Sequence, residues 1–207
     1  MSAQVFIQER AADRLAELDL AVEILERVIR RADAEAQMCT AFDPPLLEGL
    51  TRWGRATRYL REELVPLGWT YDNPRNFART IHPDGEFAIV VTTGDGMTGL
   101  PGMVPGTKNP KGLATMLAVD ANAQLTFDFG PQFLPAGMDK VTWFLLFYAD
   151  GFEYRAELSL PGGYSDGMIT HWDERIILPP FQRYDRPAVP SDTEPHPDVV
   201  FEVAPRS

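Results

Sequence analysis

Val141-Thr142-Trp143-Phe144-Leu145-Leu146-Phe147-Tyr148-Ala149, then Asp150-Gly151, then Phe152-Glu153-Tyr154-Arg155-Ala156-Glu157-Leu158-Ser159-Leu160, is the stretch on which the fold turns. Its first part is almost continuously apolar, the pattern of a central strand covered on both faces. Asp150-Gly151 is a turn, and the second part alternates Phe152, Tyr154, Ala156, Leu158 and Leu160 with Glu153, Arg155, Glu157 and Ser159. That period of two predicts a strand with one face dry and the other wet.

On either side the same β texture continues. Met168 to Leu178 reads as a further strand, and Gln124 to Phe129 as another. Phe77 to Ile81 and Glu86 to Thr93 flank His82-Pro83-Asp84-Gly85, a turn that closes a hairpin. Before Trp69 the period lengthens. Ala11, Leu15, Leu18, Val22, Leu25, Ile29, Ala32 and Ala36 recur at alternating spacings of four and three, predicting one helix over 8–37. Asp43 before Pro44 and Pro45 is placed to cap a second helix to about Val65, burying Leu46, Leu50, Trp53, Leu60 and Leu64.

The expected fold is therefore α+β. A helical hairpin over 1–66 packs on a mostly antiparallel sheet of five or six strands within 67–181, as one compact unit with one further helix. Residues 182–207 read as an extended proline-rich tail. Its apolar end, Val199, Val200 and Phe201, could add as a strand to a sheet edge.

The chain has 207 residues, 44% of them hydrophobic and 24% charged, which is enough apolar material for one core and excludes wholesale disorder. A net charge of −11 disfavours nucleic acid and anionic lipid as partners. The imbalance is greatest late in the chain, where residues 116–207 hold 6 basic and 14 acidic side chains. Cys39 is the single cysteine, so neither an intrachain disulfide nor a cysteine metal cluster can form. With no apolar run of membrane-spanning length and no signal-peptide order at the start, the expected location is the cytoplasm. Sixteen arginines against three lysines is a usage associated with bacterial or phage genomes rich in GC.

Chemistry is concentrated in one unusual loop. Gly94, Asp95, Gly96 and Gly99 open a glycine-rich stretch that ends at Thr107, Lys108, Asn109, Pro110, Lys111 and Gly112. Asn109-Pro110 has the order of a helix start, so Lys108 and Lys111 would flank free N–H donors and hold an anion. Gly-x-x-x-x-Gly-Lys-Ser/Thr and Gly-x-Gly-x-x-Gly are both absent, and glycines serving turns beside exposed lysines explain the stretch as simply. His82, His171 and His196 form no metal motif, and no cofactor signature or Gly-x-Ser-x-Gly elbow is present.

These observations favour an accessory, regulatory or inhibitory binding protein of a bacterium, phage or mobile element, acting through a protein partner. Leu18 and Leu25 are the positions where the helical stripe could meet a second copy of the chain. An enzyme acting on phosphate or nucleotide esters is the alternative, with Lys108 and Lys111 on the anion and Asp95 as metal ligand or base. Nucleic-acid binding through Arg52, Arg55, Arg58 and Arg61 is the third class, opposed by the net charge and by the way steps of three wind these side chains around the helix.

Overall fold

The computed structural model describes residues 3–126 and 140–183. Four α-helices, α1 (Glu9–Ala16), α2 (Val22–Ala36), α3 (Leu47–Leu64) and α4 (Leu113–Thr126), enclose an eight-stranded mixed sheet. Its strands are β1 (Gln4–Phe6), β2 (Thr70–Asp72), β3 (Arg79–Ile81), β4 (Phe87–Thr93), β5 (Val141–Ala149), β6 (Glu153–Ser165), β7 (Met168–Ile177) and β8 (Phe181–Gln182). The spatial order is β1-β7-β6-β5-β4-β3-β2, and β8 pairs with β6 at Glu153 and Tyr154.

The sheet is larger than the five or six strands expected, and it is mixed: most neighbours pair antiparallel, but two pairs are parallel. β1 runs parallel to β7, and β4 runs parallel to β5 from Phe87↔Val141 to Thr93↔Phe147. Parallel neighbours need a crossover, and α4 lies in it. The unexpected strands β1, β2 and β8 have three, three and two residues, too few for a period of two to register. Gln124 to Thr126, expected to open a strand, instead complete α4, and the rest of that segment lies outside the described residues.

Alternation along β4 and β5 loads both faces. Phe87, Ile89, Val91, Trp143, Leu145 and Phe147 join the core shared with α1, α2 and α3. Val90, Phe144 and Leu146 point the other way and pack with Ala118, Val119 and Ala121 of α4. Asn122 fixes α4 to β5: its amide donates to the Thr142 carbonyl (2.9 Å) and its oxygen accepts from the Thr142 N–H (2.8 Å).

The single helix expected over 8–37 is two. Leu20 N–H bonds to Leu15 O and Asp19 N–H to Ala16 O, with Asp19 at φ +53°, a Schellman closure in which aspartate holds the left-handed position. Leu15 and Leu20, the apolar pair of that motif, are both buried, so the hydrophobic spacing continues through the break. Asp43 does not cap α3. It closes a turn by accepting the Thr40 N–H at 2.8 Å, and α3 starts later, with no side-chain cap. Leu60 and Leu64 are buried as expected, whereas Leu46, Leu50 and Trp53 are not.

Candidate functional site

The glycine-rich stretch is a closed loop laid over the sheet. Asp95 N–H donates to Gly106 O at 3.0 Å, joining the two ends as in an Ω-loop, and Gly94 bridges Thr107. The Asp95 carboxylate accepts from the backbone N–H of Met97 (2.9 Å) and of Gly106 (2.9 Å). Both of its oxygens are thus engaged in shaping the loop.

Beneath the loop lies the face of β6 that alternation marked as wet. Glu157 and Ser159 are fully buried, and Arg175 of β7 nearly so. Arg175 Nε donates to Glu157 Oε1 at 3.0 Å and its Nη2 to Oε2, while Ser159 Oγ (2.9 Å) and Gly99 N–H (2.9 Å) donate to the same carboxylate. Arg175 Nη1 and Nη2 also donate to Met103 O and Leu100 O in the loop, and Trp172 Nε1 donates to Pro105 O at 2.7 Å. A buried ion pair survives only if its other hydrogen-bonding positions are satisfied, and here the loop backbone satisfies them. Sequence alternation located these strand residues but could not show that a distant loop would cover them.

The candidate anion ligands do not converge. Thr107 is buried and exchanges hydrogen bonds with Ile169, its N–H to Ile169 O and its Oγ1 from Ile169 N–H, each 3.3 Å. Lys108 and Asn109 are exposed. Gly112, not Asn109, supplies the carbonyl that starts α4, accepting from Thr115 N–H (3.0 Å). Lys111 alone faces a cavity, of about 170 Å³, which Asp95, Lys108 and the histidines do not line.

A second polar centre escaped the sequence reading because it draws on four elements or connections. Asp33 of α2 is buried and faces Arg52 of α3 (Nε to Oδ1, 3.0 Å), Arg183 after β8 (Nη2 to Oδ1, 3.1 Å) and Tyr154 of β6. Burial alone would raise the Asp33 pKa, but the nearby Tyr154 phenol, hydrogen bonds from Arg183 and Gln37 and the charge of Arg52 bring it below the ordinary value. Burial and the Asp33 carboxylate push the Tyr154 phenol well up. The other arginines of α3 are engaged too: Arg55 with Glu35, Arg58 with Glu62, and Arg61 with Asn73 and the carbonyls of Asp72 and Arg79.

His82, at the start of the hairpin turn, is only 9% exposed, stacked on Phe87 and edge-on to Trp69, with Asp19 (3.0 Å) and Asp84 (2.8 Å) at its two nitrogens. His171 and Asp173 are 3.5 Å apart. Among the described residues no three histidine, cysteine, aspartate or glutamate side chains come together as a metal site, and no helix is long and apolar enough to cross a membrane.

Apolar side chains meet solvent at the α2–α3 connection. Phe42 is fully exposed, Leu46 is 76% and Leu50 58% exposed, and Met38 and Trp53 nearby in the sequence are exposed too. Leu46, Leu50 and Trp53 stand at i, i+4 and i+7, on one side of the helix. Leu18 and Leu25, the expected contact positions, lie in the core between helices and sheet. Val199, Val200 and Phe201 lie outside the described residues. No protein family, curated protein or solved structure matches this chain.

Proposed function

We propose that the chain is a non-catalytic accessory or regulatory protein that acts by binding another protein through the apolar face of the α2–α3 connection. One observation carries this reading: Phe42, Leu46 and Leu50 are large side chains left in water on one continuous segment. Contiguous exposed apolar surface of that kind marks interaction sites, because its burial supplies about 25 cal/mol per Å² of area removed from water. The commitment of Asp95 and Glu157 to holding the loop also supports a binding role over hydrolytic chemistry at that loop.

The net charge of −11 selects the occupant. It opposes close approach of a second copy and favours a different protein that presents an apolar helix or loop within a basic rim. The test is a photo-crosslinking side chain at position 42 in the native host, followed by binding measurements with the purified cross-linked protein. Affinity should fall with salt, and Phe42→Asp with Leu50→Asp should abolish binding at an unchanged melting temperature. Cross-links only to the chain itself, or a partner that binds the double variant equally well, would overturn the proposal.

A further inference from the structure

We infer that the cavity beside the carboxyl end of β4 is a binding site for a small aromatic carboxylate, with its ring between Trp53, Phe77 and Phe144 and its carboxylate on Lys111. The site arises from a gap in the sheet. β3 and β4 pair only at Thr80↔Ile89 and Ile81↔Ala88, and before Arg79 the chain turns away through Pro74–Asn76. The β4 edge at Val90 to Thr92 therefore faces space instead of a strand, and that space is the cavity of about 170 Å³.

Its walls are fixed by the fold. Trp53 reaches over from α3 and donates its indole N–H to Val91 O at 3.0 Å, answering a carbonyl that a neighbouring strand would otherwise have met. Phe77 and Phe144 form the opposite side, ring centroids 6.3 Å apart and planes 49° tilted. A flat ring offers such walls the offset and edge contacts that aromatic groups prefer.

Lys111 supplies the charge. Its backbone N–H is held by Gly167 O, but its half-buried ammonium has, among the described residues, neither a hydrogen bond nor an ion pair; burial holds its pKa below that of a free lysine. An ammonium drawn out of water without an acid beside it lacks its counter-charge, which a bound carboxylate would supply. Asn76, Thr92 and Thr115 line the same space with side-chain polar groups that no described residue engages. Thr115 lies in the first turn of α4, so the positive end of the helix dipole is at the cavity as well. Parallel β4 and β5 with α4 in their crossover recreate the arrangement in which α/β sheets bind ligands at the carboxyl ends of strands.

One cation calls for a monoanion, and the volume lies below the ~300 Å³ at which pockets for drug-sized ligands begin. A carboxylate on a single ring satisfies both limits. Benzoate in the millimolar range is the probe, with benzamide as the neutral analogue of the same shape and acetate and inorganic phosphate as anions without a ring. Benzoate should raise the melting temperature and change the tryptophan fluorescence, because Trp53 is the most exposed of the four indoles and the other three are buried. Lys111→Met should weaken benzoate about tenfold or more, and Ala78→Leu, which fills the cavity and leaves Lys111 in place, should abolish binding. Equal effects of benzoate and benzamide, equal effects of acetate or phosphate, no response to benzoate, or undiminished affinity in either variant would each overturn the inference.

Discussion

Glu157 and Arg175 sit on neighbouring antiparallel strands with essentially no access to water, joined through two guanidinium nitrogens and roofed by the loop whose Leu100 and Met103 carbonyls complete the arginine. Loop and ion pair are therefore mutually dependent. Without the loop the pair would lack hydrogen-bond partners, and without the pair the loop would lose its anchors at Gly99, Leu100 and Met103. Glu157→Ala should cost about 3–5 kcal/mol in urea denaturation, since it leaves an uncompensated buried guanidinium. Glu157→Leu with Arg175→Met should cost clearly less than the sum of the single changes. Both variants should be cut by protease near Leu100 to Val104 under conditions where the parent chain is not; additive energies or unchanged proteolysis would contradict the coupling.

Gly99 is the tightest point of that contact. Its φ is +74°, and a Cβ there would lie 2.8 Å from the Cβ of Arg155 and 3.3 Å from the Ala156 nitrogen. Gly99→Ala should destabilise by about 1–3 kcal/mol through strain and the clash together. A melting temperature within a degree of the parent's would show that the loop does not rest on β6 as described.

Asp33 should set part of the acid limit of stability. Its carboxyl is below the ordinary aspartate value in the folded chain, so its contribution is fully present above the unfolded pKa of about 3.9 and is lost as pH falls through the folded value. Asp33→Asn should be destabilising near neutrality by about 3 kcal/mol, because Arg52 and Arg183 lose their shared carboxylate. The gap between variant and parent should narrow as pH is lowered toward 2. A gap independent of pH would mean that the charge of Asp33 contributes nothing.

Two leucines separate core from surface. Leu25 is fully buried, and Leu25→Glu should leave the chain unfolded or insoluble. Leu50→Glu should change stability by no more than about 0.5 kcal/mol while removing apolar area from the proposed contact face. Circular dichroism and thermal melts of the pair decide this, and comparable damage from both would place Leu50 in a core.

Several of these features were visible in the chain before folding, others not. Continuous apolarity at Val141 to Ala149, the Asp150-Gly151 turn and the hairpin at His82 to Gly85 depend on neighbours in sequence, and all are found. Helical spacing marked Leu46, Leu50 and Trp53 as an apolar face, but such spacing is the same whether the face meets the chain's own core or a partner. The split of the first helix rests on one aspartate in a conformation for which glycine is the usual signal. Of the candidate site only Lys111 was found in advance. Trp53, Phe77 and Phe144 come together through strand pairing, and the buried face of β6 depends on a loop some 58 residues away in sequence, as the Gly99 to Glu157 bond records.

The order in which strands enter the sheet bears on synthesis. β1 is made near the start yet pairs with β7, and β4 finds its parallel neighbour only when β5 is made, some fifty residues later. On an emerging chain, α1 to α3 and β2 to β4 are complete while the three strands that join them, β5, β6 and β7, have still to leave the ribosome. Until then the faces of Leu25, Ile29, Leu60 and Ile89 have only each other to cover them. Closure of non-local pairings is slow and leaves apolar surface open to other chains meanwhile. Yield in the cell should therefore depend on holdase chaperones and on the speed of translation through 141–177 more than on the equilibrium stability of the finished sheet.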